Sequence, residues 1–162
     1  MSDPWGLEGA TVAITGASTG IGAALTDAFL DSGAIVLGIS RSPDKHPTTS
    51  PNYRTYAADL SVRSETEALI DTLKADHERI DVLINNAGHA LRAPSVDYPM
   101  DDWDRLIELN LTAPFLLSRG LAPPMLQRGA GKVIFTASLW SFLGGRSVPA
   151  YTVTKSGIAG MI

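Results

Sequence analysis

Thr15-Gly-Ala-Ser-Thr-Gly-Ile-Gly22 lies between a β-branched run, Thr11-Val-Ala-Ile-Thr15, and a segment of helical period from Ile21 to Leu30. In that segment Ile21, Leu25, Ala28 and Phe29 are expected on one face. A glycine-rich turn that leaves a strand and opens a helix near the N-terminus suits a dinucleotide site. Glycines let the backbone turn tightly and approach a pyrophosphate, whose charge then meets unpaired N–H groups and the positive end of the helix dipole. Gly16, Gly20, Ile21 and Gly22 are the expected cradle, with Ser18 and Thr19 as added hydroxyl donors. The competing reading is a turn kept glycine-rich only for close helix packing.

Outward from this turn, short β-branched runs alternate with longer helical segments, the pattern of a parallel sheet covered by crossover helices. Strands are expected at Ala34 to Ile39, Tyr53 to Ala57, Asp81 to Asn86 and Lys132 to Thr136. Three prolines between Arg41 and Pro51 argue against a helix there, because each removes a donor and restricts its predecessor. Ser61 or Ser64 is the expected cap of the next helix, Ser64 with Glu67 forming a capping box, and the helix reaches about His77. A long helix carrying Trp103, Leu106, Ile107, Phe115 and Leu117 precedes the fifth strand, and a last helix runs from about Tyr151 to Ile162. The class is α/β in a single domain, residues 1–162.

Composition narrows the function. Among 162 residues, 13 Lys and Arg against 17 Asp and Glu give a net charge of -4, which leaves no basic surplus for a nucleic-acid backbone. There are no cysteines, so disulfides, thiolate metal sites and a cysteine nucleophile are excluded, and a cytoplasmic setting is expected. No apolar run has the length of a membrane span, and Met1-Ser-Asp-Pro-Trp5 lacks the basic flank and apolar stretch of an export signal. His46, His77 and His89 stand far apart, so no metal site is expected.

Four motifs now occur in order: the glycine turn, Asp59-Leu60 after the third strand, Asn85-Asn-Ala-Gly88 after the fourth, and Tyr151-x-x-x-Lys155. From about Leu7 to Ile162 the chain resembles the classical short-chain dehydrogenases/reductases. The resemblance implies a Rossmann fold, a doubly wound parallel sheet with these strands ordered 3-2-1-4-5, and hydride transfer between a nicotinamide cofactor and a carbonyl or secondary alcohol. Tyr151 and Lys155, four positions apart, share one helix face and can converge on one substrate atom. A nearby ammonium and an oxidised nicotinamide favour the phenolate, which makes Tyr151 a general base. By itself such a pair also describes an ordinary surface helix. Ser138, at the carboxyl end of the fifth strand, matches the family's serine that polarises the substrate oxygen, with Ser141 as its nearest rival. Asn110 matches the family's proton-relay position. Pro114 supplies no N–H to the Asn110 carbonyl, so a kink and a carbonyl free to hold a water leading from Lys155 are expected.

Ser40-Arg41-Ser42, at the end of the second strand, has no carboxylate to bind a ribose 2′-hydroxyl or repel a 2′-phosphate. NADP(H) is therefore the preferred cofactor and NAD(H) the alternative, since Arg41 can also stack on adenine or face water. The resemblance places Asp59 and Leu60 at the adenine, and Asn86, Ala87 and Gly88 along the cofactor. His89, Arg92, Trp140 and Arg146 are the candidates at the substrate mouth, where two cations suggest an anion. The segment from Leu139 to Gly157 is similar to the branch that oxidises deoxygluconate-type sugar acids, so the expected substrate is a small carboxylated polyol. A 3-oxoacyl thioester is the competing substrate, a dinucleotide-binding module without turnover the competing role, and both arginines also fit solvated loop positions.

The family continues past its tyrosine helix through further strands and a substrate lid, and it forms dimers or tetramers. A C-terminal truncation, slow turnover by these residues alone and a homo-oligomeric full-length form are accordingly expected.

Overall fold

A computed structural model describes residues 6–162; the N-terminal stretch Met1-Ser-Asp-Pro-Trp5, read above for export signals, lies outside the described residues. Five parallel strands, β1 (Thr11–Thr15), β2 (Ile35–Ser40), β3 (Tyr53–Ala57), β4 (Val82–Asn85) and β5 (Lys132–Phe135), form one sheet in the expected order β3-β2-β1-β4-β5. Side-chain alternation makes two cores from these strands. Ala13, Leu37, Ile39 and Leu83 face α2 (Arg63–Asp76) and α4 (Ala113–Gln127), while Val12, Ile14, Val36, Val82 and Ile84 face α1 (Gly20–Asp31). Leu37, Leu73, Leu83 and Leu117 have no exposed surface. Each such side chain contributes about 1.5–3 kcal/mol of hydrophobic burial. That rigid platform ends at the carboxyl edge of β1 and β4, where chain directions diverge and a crevice opens.

Three local expectations are corrected. In α1 the buried residues are Gly22 and Thr26, with Leu25 and Phe29 packed on the core, whereas Ile21 is exposed and lines a cavity, and Ala28 faces solvent. Neither serine caps α2: Val62 occupies that place, because the Ser61 hydroxyl donates to Asp59 Oδ1 at 2.6 Å and Ser64 already lies in the first turn. The Asp59 turn thus takes the capping hydroxyl, and Glu65 Oε2 accepts from the Asp59 N–H at 2.7 Å. The long helix is not continuous. It comprises α3 (Met100–Ile107), a π turn (Glu108–Thr112) and α4, and Phe115 within α4 is 50% exposed. The missing N–H of Pro114 accordingly coincides with a widened turn containing Asn110.

The proline-bearing connection after β2 forms a single 3-10 turn, Pro43–Lys45, and otherwise irregular chain. The last helix, α5 (Pro149–Met161), packs beside the π turn, with Gly157 against Leu111, and beside the 3-10 turn Leu139–Ser141.

Candidate active site

Two adjoining cavities occupy the crevice, of about 490 and 280 Å³, and they share Gly16, Thr19, Ala87 and Gly88 as a common wall. The larger runs toward the end of β2, past Arg41, Lys45, Asp59 and Leu60; the smaller runs toward Tyr151 and Lys155. The backbone dictates the shape of the waist between them. Gly16 has φ +68, and a Cβ on it would stand 3.0 Å from Ala87 Cα; a Cβ on Gly22 would stand 2.0 Å from the Gly16 carbonyl oxygen. No larger residue fits there.

Beneath that waist the Thr15 hydroxyl, 1% exposed, joins β1 to β4: it accepts from the Asn86 N–H at 3.0 Å and the Ala87 N–H at 2.9 Å and donates to the Ile84 carbonyl at 3.3 Å. The Asn86 amide donates to the Thr15 carbonyl and accepts from Thr136 Oγ1, while Asn85 donates to Ser118. Asn110, 1% exposed, clamps the next segment: Oδ1 accepts from the His89 N–H at 3.0 Å, and Nδ2 donates to the His89 carbonyl at 2.8 Å and to Thr154 Oγ1 at 3.3 Å. One side chain from the π turn therefore ties the Gly88–His89 wall to α5.

On α5, Lys155 is 4% exposed, with Nζ donating to the Thr136 carbonyl and standing 5.7 Å from the Tyr151 ring centroid. Burial holds the Lys155 ammonium below its ordinary pKa of 10.5. Between the folded and unfolded values the unfolded chain binds more protons, so stability rises with pH in that window. Without nucleotide, the melting temperature of the unmodified chain relative to Lys155→Met is expected to climb as pH rises toward the ordinary lysine value. A flat or falling difference would show that the buried ammonium carries no such penalty.

Ser138 and Ser141 are separated by their hydrogen bonds. Ser141 Oγ donates its proton to the Lys155 carbonyl at 2.8 Å and accepts from the Ser138 N–H. Ser138 Oγ accepts from the Trp140 N–H at 3.3 Å, which leaves its own proton available. Of the other expected residues, Ser18, Arg41, Asp59, Leu60 and His89 line the larger cavity, and Ile21 and Asn86 the smaller. Gly20, Gly22, Asn110, Ser138, Arg92, Trp140 and Arg146 line neither. Arg92 and Arg146 are exposed, on loops tied by the Ala93 N–H donating to the Ser147 carbonyl at 3.0 Å. Burial raises the Asp59 carboxyl, but two hydrogen bonds from Ser61, with Arg41 and Arg105 nearby, outweigh it and hold the group below its usual range.

Four contributors escaped the sequence reading: Thr15, Thr136, Arg105 and Lys45. Lys45 had a usable signal, a cation four positions after Arg41 at the end of a Pro-initiated turn. Among the described residues no group of three or more His, Cys, Asp and Glu is placed to hold a metal ion, and no helix is long and apolar enough to cross a membrane.

Sheet order, glycine waist and cleft together define a Rossmann-type α/β protein. Within that class the chain belongs to the short chain dehydrogenase family, whose model matches residues 10–162. It is 37% identical over 170 residues to 2-dehydro-3-deoxy-D-gluconate 5-dehydrogenase of Pseudoalteromonas atlantica, covering 100% of this chain and 67% of that protein. A metagenomic short-chain oxidoreductase in complex with NADP superposes with a TM-score of 0.90 at 34% identity, covering 99% of this chain and 74% of that one. A gluconate 5-dehydrogenase from Burkholderia cenocepacia, in complex with NADP and tartrate, gives 0.84 at 30% identity, covering 95% and 63%. The chain spans about two thirds of the length of the curated relatives it matches.

Proposed function

We propose that this chain is the nicotinamide-binding and catalytic part of an NADP(H)-preferring oxidoreductase acting on a small carboxylated polyol or its ketone. The observation that carries the reading is the placement of Tyr151 and Lys155 on the cavity that shares its wall with the Gly16 waist. The names of the relatives, dehydrogenases of sugar acids among them, support it. The cleft fits the cofactor: a backbone waist suits a pyrophosphate, and Arg41 and Lys45 stand where a 2′-phosphate would need cations.

When bound, the cofactor supplies or accepts a hydride. Tyr151 holds the exchanging proton on its phenol oxygen, and the Lys155 ammonium, oriented by the Thr136 carbonyl, stands beside the ring as an electrostatic partner. Ser138, whose Oγ accepts from the Trp140 N–H, offers its own O–H as a hydrogen bond to the substrate oxygen and keeps that proton, while the exchanging proton is the one on Tyr151. Asn110 holds the Gly88–His89 wall by its side chain, while its carbonyl, lacking a donor at Pro114, receives a water that passes protons from Lys155 to solvent. Arg92 and Arg146, on tethered loops, are assigned to the substrate carboxylate. A homo-oligomer and a cytoplasmic setting, in keeping with the absence of cysteine, complete the reading.

Titration with NADPH and NADH tests the cofactor side. Arg41→Ala and Lys45→Ala each remove a charge-assisted bond worth about 1.5–3 kcal/mol, so NADPH affinity is expected to fall about 10–100-fold. NADH affinity should change little. An equal loss of both nucleotides, or of neither, removes the phosphate assignment.

A further inference from the structure

Between β2 and β3 a single residue is buried, and it is not apolar: His46, 7% exposed. Its ring meets Tyr53 edge to face, with centroids 5.3 Å apart at 65°, and its Nε2 lies 3.2 Å from Asp27 Oδ1, out of line for a hydrogen bond. Burial and the neighbouring Asp27 together raise the Tyr53 phenol. Nothing in the catalytic machinery uses this cluster.

Its place in the chain gives it a use. Arg41, Ser42 and Lys45 are exposed yet line the larger cavity, and they sit on a connection whose only regular element is one 3-10 turn. The Pro43–Lys45 turn is closed by the Lys45 N–H donating to the Ser42 carbonyl and the His46 N–H to the Pro43 carbonyl, both at 3.3 Å. The next link to the folded body is the His46 side chain, one residue beyond Lys45. A flexible cationic loop would have to be ordered each time a phosphate bound, and fixing it beforehand removes that cost.

We propose that His46 is a positioning residue for nucleotide selection. By seating its ring between Tyr53 and Asp27 it holds the turn so that Arg41, Ser42 and Lys45 face a dianionic phosphate on the adenosine ribose. The inference rests on the NADP(H) reading above and adds to it the element that makes the cationic edge selective.

Dissociation constants for NADPH, 2′,5′-ADP and NADH, measured on the full chain, test it. His46→Ala is expected to weaken NADPH and 2′,5′-ADP about tenfold, the scale of lost preorganisation, and NADH by less than about twofold. His46→Phe, which keeps a ring against Tyr53, is expected to recover most of the difference. A merely structural histidine would weaken all three ligands alike, and that result, or no change in any, overturns the proposal. If His46→Ala does not fold, His46→Gln is judged by the same split. The two hypotheses separate cleanly. Selective losses in Arg41→Ala and Lys45→Ala without one at His46 reject the positioning role alone, whereas no selective loss at either cation rejects the NADP(H) reading and this role with it.

Discussion

Tyr151→Phe is expected to lower NADPH-dependent carbonyl reduction about 10²–10⁴-fold relative to the unmodified chain, the range of a lost general acid or base. The nucleotide dissociation constant should stay within about twofold, since the substitution removes a hydroxyl and leaves the ring. The prediction comes from the arrangement on α5. Tyr151 lines the smaller cavity, and Lys155 is committed through Nζ to the Thr136 carbonyl, so no second phenol or imidazole is among the residues lining that cavity to replace the lost proton carrier. Steady-state rates paired with fluorescence titration check both halves. Undiminished turnover would move the proton transfer away from Tyr151.

The second large effect concerns shape. Gly22→Ala is expected to cost about 3 kcal/mol of stability, the upper end for forced overpacking, and to reduce nucleotide affinity at least about 100-fold. The added methyl would stand 2.0 Å from the Gly16 carbonyl oxygen and 2.7 Å from its carbon, and backbone cannot step aside as a side-chain tip can. The turn or the start of α1 must then shift, and with it the wall of Gly16 and Thr19 that both cavities share. Gly20→Ala is the control. Gly20 has φ +56 but nothing within 4 Å of the added methyl, so only the left-handed backbone is penalised, by about 1–2 kcal/mol. Denaturant midpoints and nucleotide titrations of the two variants should differ widely; equal behaviour would show that the Gly16–Gly22 contact does not govern the cleft.

Much of this architecture was legible because it depends on patterns local to the chain. The strand from Thr11 to Thr15 has the expected ends, and the others agree within a residue, since β-branched runs between glycine and proline signals permit little else. Helical spacing alone puts Tyr151 and Lys155 on one face, whereas the sheet order is an expectation carried by the family resemblance of the four motifs. What stayed hidden depends on partners distant in sequence. Ser61 was a sound capping candidate until Asp59 claimed its hydroxyl. Lys45 lines the cleft, and His46 is buried against Tyr53 with Asp27 beside it, contacts with two other elements that no local pattern announces. Pro114 announced a disturbance, but the local sequence does not distinguish a kink from the π turn that forms.

The Thr15 hydroxyl has a thermodynamic consequence. Two N–H groups and one carbonyl at the seam between β1 and β4 converge on a single oxygen, so the floor of the cleft is closed during folding. A slot finished in advance gives up less entropy at the moment of encounter. Uptake of nucleotide should therefore resemble a key entering a cut lock, with heat released mainly by new polar contacts and little reordering of the seam.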